Sequence, residues 1–139
     1  MNTGYDFFEH TADVGIRARA STLRELFIHM ARGLVELIAE DSRLEPRQTR
    51  EIALAAENTE ALLVSWLSEL LFWFSTERFL PVRYVLDDVT PRSLRGRIEG
   101  DHFDPSRHVQ GREVKAITHH LLSVQQRNSV WEGQVLVDI

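Results

Sequence analysis

Cysteine is absent from this chain of 139 residues, and lysine occurs only at Lys115. Without a thiol the chain cannot form disulfides, iron–sulfur clusters, cysteine-ligated zinc sites or a cysteine nucleophile. The absence of cysteine fits a reducing compartment, and secreted proteins without cysteine also exist. The N-terminal segment carries Asp6 and Glu9 and so lacks the basic and then apolar form of a signal peptide. No segment has the length and apolarity of a membrane span, and we expect a cytoplasmic protein.

The charge balance disfavours a protein whose main role is to bind nucleic acid. Acidic residues number 21 against 16 basic ones, which gives a net charge of −5 and a pI of about 5.7. Binding to phosphate backbones normally needs a basic surface. The apolar fraction of 43% is too high for a disordered chain. Because no repeat, low-complexity tract or linker divides the sequence, we expect residues 1–139 to form a single domain.

Two helices are predicted from the apolar spacing. Thr22 and Glu25 form a capping box at the start of the first, and apolar residues follow at intervals of three and four from Leu23 to Ile38. The second begins near Asn58 or Thr59 and ends near Thr76.

The second helix is apolar on almost every side. Between residues 61 and 74 only Ser65, Ser68 and Glu69 are polar, and they form one narrow stripe. A helix of this kind is buried or covered by a partner. Phe72 interrupts the polar stripe. Either Phe72 is an exposed contact for a partner or, as we expect, a loop folds over it.

The remaining apolar segments predict strands. They cover residues 7–9, 14–20, 51–55, 82–89, 94–99, 114–124 and 130–138, with turns at residues 90–92 and 127–129. Helices and strands do not alternate regularly, which disfavours a wound parallel sheet. We therefore predict an α+β fold, a two-layer domain in which two α-helices pack on a mixed or mainly antiparallel sheet.

Polar residues cluster in the loop Glu9-His10-Thr11-Ala12-Asp13, between two short apolar strands. Its oxygen and nitrogen atoms suit a metal ion or an acid–base pair. An ordinary turn, held by bonds from Asp and Thr side chains to the backbone, is the alternative.

A second candidate site lies at residues 135–139, where Asp138 and Ile139 end an apolar strand. If Ile139 is docked, its terminal carboxylate lies beside the Asp138 side chain, and the two repel unless a cation or an arginine compensates. A hard divalent ion with oxygen ligands is one solution. Fraying of the terminus into solvent is the other.

A third polar segment runs from residue 111 to residue 120. In an extended strand Glu113, Lys115 and His119 share one face, where Glu113 and Lys115 either pair or bind phosphate or metal. The adjacent His119 and His120 point to opposite faces, and we expect at least one of them to be a structural histidine. Upstream, we expect Asp104 to cap a turn. Phosphate-binding, zinc-protease, EF-hand and serine-hydrolase motifs are absent from the sequence.

Five segments together resemble the archease family. They are Glu9-His10-Thr11-Ala12-Asp13-Val14-Gly15, Ser65-Trp66-Leu67-Ser68-Glu69-Leu70-Leu71, Phe103-Asp104-Pro105 with His108, Glu113-Val114-Lys115-Ala116-Ile117-Thr118 and Val137-Asp138-Ile139. They occur in the family's order and cover essentially the whole chain.

The resemblance implies a non-catalytic partner of the RtcB-type RNA ligase, which joins tRNA halves using GTP and manganese. Archeases promote guanylylation of that ligase, multiple turnover and broader nucleotide use, so this chain would meet RNA only through the ligase. The resemblance also implies a bound divalent metal ion, calcium or alternatively Mn²⁺, held by Asp13, Asp138 and the main-chain oxygen of Ile139. Residues that would contact the partner or support the ligands are Glu9, His10, Glu113, Lys115 and His119.

Two other functions are compatible with the sequence. The first is a general chaperone or modulator of RNA-processing enzymes that uses the apolar second helix as its binding surface. The second is a small metal-dependent hydrolase that uses His10 and Asp13.

Overall fold

The computed structural model describes residues 4–10, 12–40 and 43–139. Thr11, in the polar loop noted above, lies outside these residues. The described parts of the chain contain two helices and eight strands: β1 (Gly4–His10), β2 (Asp13–Ala20), α1 (Leu23–Ile38), β3 (Gln48–Ala55), α2 (Thr59–Glu77), β4 (Phe79–Val89), β5 (Ser93–His102), β6 (Ala116–Ile117), β7 (Ser123–Arg127) and β8 (Val130–Asp138).

The strands form two sheets in which every described pair is antiparallel. The larger has five strands in the order β1-β2-β8-β6, with β7 also paired to β8, and the smaller has the order β3-β5-β4. The predicted α+β class with two helices is confirmed, although the strands divide between two sheets. Neither described helix has the length and apolarity needed to cross a membrane.

Side-chain caps define where both helices begin. The Thr22 hydroxyl accepts a hydrogen bond from the Glu25 backbone N–H at 3.1 Å, as the capping box predicts. The Asn58 side chain accepts one from the Ala61 N–H at 2.8 Å. Helix α2 ends where Arg78 adopts the left-handed conformation, with φ of 58°.

The two helices meet through a buried polar contact. The indole N–H of Trp66, on α2, donates to the main-chain carbonyl of Phe27, on α1, at 2.9 Å. Both side chains are fully buried. An indole N–H without a partner would carry its full desolvation penalty in this core. The hydrogen bond therefore fixes the position of α2 relative to α1.

Phe72 is the exception to the burial of α2. Its neighbours Leu71 and Trp73 are buried, but Phe72 is 58% exposed. The expectation that a loop covers it is wrong, because no described segment packs over this part of the helix. Phe72 is exposed, as the alternative stated above requires, and its contact with a partner stays a prediction.

The predicted strand over residues 114–124 is interrupted. Ile117 pairs with Val137 and Ser123 pairs with Gln134, so six steps along this segment match only three along β8. The surplus residues loop out around Leu121, whose φ is 56°. Apolar patterning did not predict this break, because the residues on each side of it still pair with the same strand.

Gly96 allows β4 and β5 to approach closely. A Cβ added at Gly96 would collide with the Val85 carbonyl oxygen and lie 2.7 Å from Leu86 Cα. Both obstacles are backbone atoms, so a change of rotamer cannot relieve the collision.

We predict that Gly96→Ala lowers the free energy of unfolding by about 1–3 kcal/mol, the usual cost of overpacking. Urea unfolding measures this change. Gly133→Ala is the matched control, because its added Cβ would meet only the flexible Leu26 side chain, at 3.3 Å. Equal losses for the two variants would contradict the assignment.

Candidate functional site

Two carboxylates meet where β2 begins and β8 ends. Asp13 begins β2, Asp138 ends β8, and the two lie directly opposite each other in the antiparallel register. Side chains at opposite positions project from the same face, with Cβ atoms about 4.5–5.5 Å apart. Two residues separated by 125 positions in the sequence therefore share one site.

This site lies on the face of the five-stranded sheet that points away from α1. Val14, Ile16, Ala18 and Ala20 are buried in the core, and the alternate residues of β2 take the opposite face. The side chain of Asp13 keeps 22% of its exposure. A solvated ion or a second molecule can therefore reach it.

His10 extends the site toward β1. It lies opposite Asp13 across the β1–β2 turn, with its Nδ1 atom 3.7 Å from an Asp13 carboxylate oxygen. Its ring also meets the ring of His120 edge-on, with centroids 5.5 Å apart. The loop that interrupts the strand after β6 thus brings His120 to the β1–β2 turn.

Lys115 contacts the site through its backbone. Its N–H donates to the main-chain carbonyl of Asp138 at 2.7 Å, which helps to fix the end of β8. The side chains of Glu113, Lys115 and His119 are exposed. The expectation that they share one strand face is wrong, because β6 begins only at Ala116. No ion pair joins Glu113 to Lys115 in the described structure.

Gly15 lies between Asp13 and Arg17 on the same face of β2. Phe8 lies opposite Gly15, and its ring occupies the space that a Cβ would take. The Arg17 guanidinium lies 4.6 Å from the centroid of this ring, and its Nε pairs with Asp6 at 3.2 Å. Sequence patterning did not single out Phe8 and Arg17, since a half-exposed aromatic residue and a scattered arginine carry no motif.

We expected His119 or His120 to be a structural histidine. The structure gives that role to His108 instead. Both His119 and His120 are exposed, whereas His108 is 4% exposed and its Nδ1 accepts the Asp104 N–H at 2.9 Å. Asp104 caps the turn as predicted. Its Oδ1 accepts from the Ser106 N–H at 3.0 Å and from the Ser106 hydroxyl at 2.8 Å. These hydrogen bonds lower the pKa of Asp104 to about 2.

The oxygen donors of this site fit a hard cation. In the described parts of the chain no group of three or more His, Asp or Glu side chains is arranged around a common point. The available donors are therefore the Asp13 and Asp138 carboxylates and main-chain oxygens, such as that of Ile139, whose side chain packs on the core. Ca²⁺ accepts such a mixture and completes its shell with water.

The sequence matches the model of the Archease protein family (MTH1598/TM1083) over residues 5–139. It is 35% identical over 136 residues to the protein archease of Sulfurisphaera tokodaii, with 97% of this chain and 98% of the relative covered. The chain belongs to the archease family.

Solved archease structures share the fold. The solution structure of Methanobacterium thermoautotrophicum protein 1598 is 29% identical, with a TM-score of 0.82 and coverage of 98% of this chain and 99% of that one. A crystal structure of a Thermotoga maritima archease, described as a "possible chaperone", is 19% identical, with a TM-score of 0.63 and coverage of 95% and 94%.

We predict that Asp13→Asn or Asp138→Asn stabilises the metal-free protein by about 0.2–1 kcal/mol, because directly opposed like charges destabilise a sheet. The double substitution should add little to either single one, since the first already removes the repulsion. Urea unfolding in a chelator at pH 8, above the ordinary titration range of histidine, measures this.

Glu132→Gln is the matched control. It removes a carboxylate from the same strand, but Glu132 lies 3.8 Å from the Arg19 guanidinium, so no gain in stability is expected. A loss of stability in both Asn variants would show that the two carboxylates do not oppose each other.

Proposed function

We propose that this archease-family chain is a non-catalytic activator of an RtcB-type RNA ligase in tRNA splicing or RNA repair. It promotes guanylylation of the ligase, multiple turnover and broader nucleotide use. The observation that carries the proposal is the facing pair of Asp13 and Asp138, at an open end of the larger sheet, in a member of the archease family.

The two aspartates and the main-chain oxygen of Ile139 would hold a divalent ion, calcium or Mn²⁺. Two side-chain ligands leave most of a six- to eight-coordinate shell to water, and a partner's phosphate or carboxylate can replace those waters. A divalent ion supplies positive charge that stabilises phosphate oxygens during guanylate transfer.

The chain's own groups orient this site. Pairing with β2 on one side and with β6 on the other fixes Asp138. The Lys115 N–H donates a hydrogen bond to the main-chain carbonyl of Asp138, and the His10 ring lies beside the Asp13 carboxylate. In this proposal the exposed side chains of Glu9, Glu113, Lys115 and His119 are partner contacts, since Glu9 adjoins His10 in the chain and the other three lie in or next to the segment that pairs with the end of β8.

A general chaperone that uses the apolar α2 as its client surface receives less support. Eight residues of α2 are buried within this domain: Leu62, Leu63, Trp66, Leu67, Leu70, Leu71, Trp73 and Phe74. The large exposed hydrophobic side chains of the described structure are Phe72, Val109 and Leu121, one of which lies on α2. The description of the Thermotoga maritima relative as a "possible chaperone" is compatible with a specific partner.

A hydrolase also receives little support. Catalytic zinc centres have three protein side-chain ligands, and in the described residues His10 and Asp13 lie in no such group.

The test is a ligation assay with the RtcB-type ligase of the same organism and RNA ends in large excess. Without this protein we expect turnover to stall near one product per ligase, and with it to continue. Asp13→Asn and Asp138→Asn should abolish the stimulation, because each removes one of the two charged oxygen donors. The same assay with radiolabelled GTP measures guanylylation of the ligase.

Glu132→Gln is again the control, and it should stimulate the ligase as wild type does. Circular dichroism establishes that each variant is folded. Full stimulation by both Asn variants would contradict the role of the acidic pair, and no stimulation by the wild-type protein would contradict the activator function itself.

A further inference from the structure

A cavity of about 330 Å³ lies at the other end of β1 from the acidic pair. It is bounded by β1, the C-terminal half of α1 and the first part of β4. Its apolar wall consists of Val35, Ala39, Leu44, Pro81 and Val82. This volume is at the lower end of the range for small-molecule sites. From Tyr5, in the cavity, to His10 the strand extends about 17 Å, at roughly 3.4 Å per residue.

One wall of the cavity contains an unsatisfied polar group. Tyr84 lines the cavity, and its hydroxyl is buried without a hydrogen-bond partner. It is the only such side-chain atom among the residues that the structure describes. Burial raises the pKa of Tyr84, so the hydroxyl keeps its proton at neutral pH and remains a donor. A buried hydroxyl without an acceptor has lost its hydrogen bonds to water without replacing them, which destabilises the ligand-free protein.

A second donor lies beside this hydroxyl. The Arg32 guanidinium is 5.9 Å from the centroid of the Tyr84 ring, and Arg32 also lines the cavity. No described carboxylate forms an ion pair with it. Arg32 is exposed, so water solvates its five N–H donors, whereas the Tyr84 hydroxyl is buried without an acceptor among the described residues.

The other polar residues of the cavity limit the charge of a ligand. Tyr5 and Glu36 also line it, and burial followed by the nearby Glu36 carboxylate raises the pKa of Tyr5. Arg32 can balance one negative charge on a ligand, but the Glu36 carboxylate would repel a ligand that carries a second one. The cavity thus combines apolar walls with one buried hydroxyl that has no acceptor and one solvated cationic donor, and it tolerates a single anionic group.

We propose that this cavity binds a small apolar monocarboxylate, whose carboxylate accepts hydrogen bonds from the Tyr84 hydroxyl and from Arg32 while its apolar body packs on Val35, Leu44 and Val82. This site is separate from the acidic pair, and its ligand is distinct from the divalent ion of the proposed function. Its test is therefore independent of the ligase.

Benzoate is the probe, and benzyl alcohol is its uncharged counterpart. In a ¹⁵N-labelled protein, benzoate should produce saturable amide shifts at Val35, Ala39 and Tyr84. Benzyl alcohol and Arg32→Gln should each weaken the apparent affinity by roughly tenfold or more, which corresponds to the loss of a charge-assisted hydrogen bond. The absence of saturable shifts, or equal affinity for the two probes, would overturn the proposal.

Tyr84→Phe gives a second readout that does not depend on the probe. Removing a hydroxyl that has no acceptor should raise the melting temperature of the ligand-free protein and weaken benzoate binding. Tyr5→Phe is the matched control, a phenol of the same cavity that lies beside the Glu36 carboxylate, and it should give neither effect. A lower melting temperature for Tyr84→Phe would mean that water already satisfies the hydroxyl, and the proposal would fail.

Discussion

The register between β2 and β8 determines both the core and the candidate site. Pairing of residues 13–20 with 131–138 turns Val14, Ile16 and Ala18 toward α1 and places Asp13 opposite Asp138. A shift of one residue would exchange the two faces of a strand, exposing apolar side chains and separating the carboxylates. The favourable burial on one face therefore holds two like charges together on the other. The proposed divalent ion would offset the repulsion between these two charges.

The two ends of β1 differ in what they lack. Near His10 two carboxylates face each other and no described arginine or lysine pairs with either, whereas near Tyr5 the buried Tyr84 hydroxyl has no acceptor among the described residues. Elsewhere in the described structure polar groups are paired, as in the hydrogen bond from Trp66 to Phe27 and the capped turn at Asp104. Buried polar groups without a partner are rare in folded proteins, and a bound ligand is one way to satisfy them.

Local patterns predicted the helices and most strands, because caps and apolar spacing act over a few residues. Thr22 caps the first helix as predicted, and the second begins at Thr59, within the predicted range. Asp13 and Asp138 were singled out as candidate residues, although no local pattern shows that they face each other. Patterning could not predict the loop around Leu121, which carries His120 to His10, nor the exposure of Phe72. Each of these features depends on which distant element packs beside the residue. The same holds for the cavity around Tyr84, because three segments that are separated in the sequence form it.

The measurement that tests the acidic pair most directly is the free energy of unfolding in chelator and then in excess Ca²⁺ or Mn²⁺. An ion that binds only the folded state adds about 2.7 kcal/mol at a concentration of 100 times its dissociation constant. The wild-type protein should gain stability of this order with at least one of the two ions, and Asp13→Asn and Asp138→Asn should gain little. An unchanged wild-type protein, or equal gains in all three, would contradict a cation site at Asp13 and Asp138.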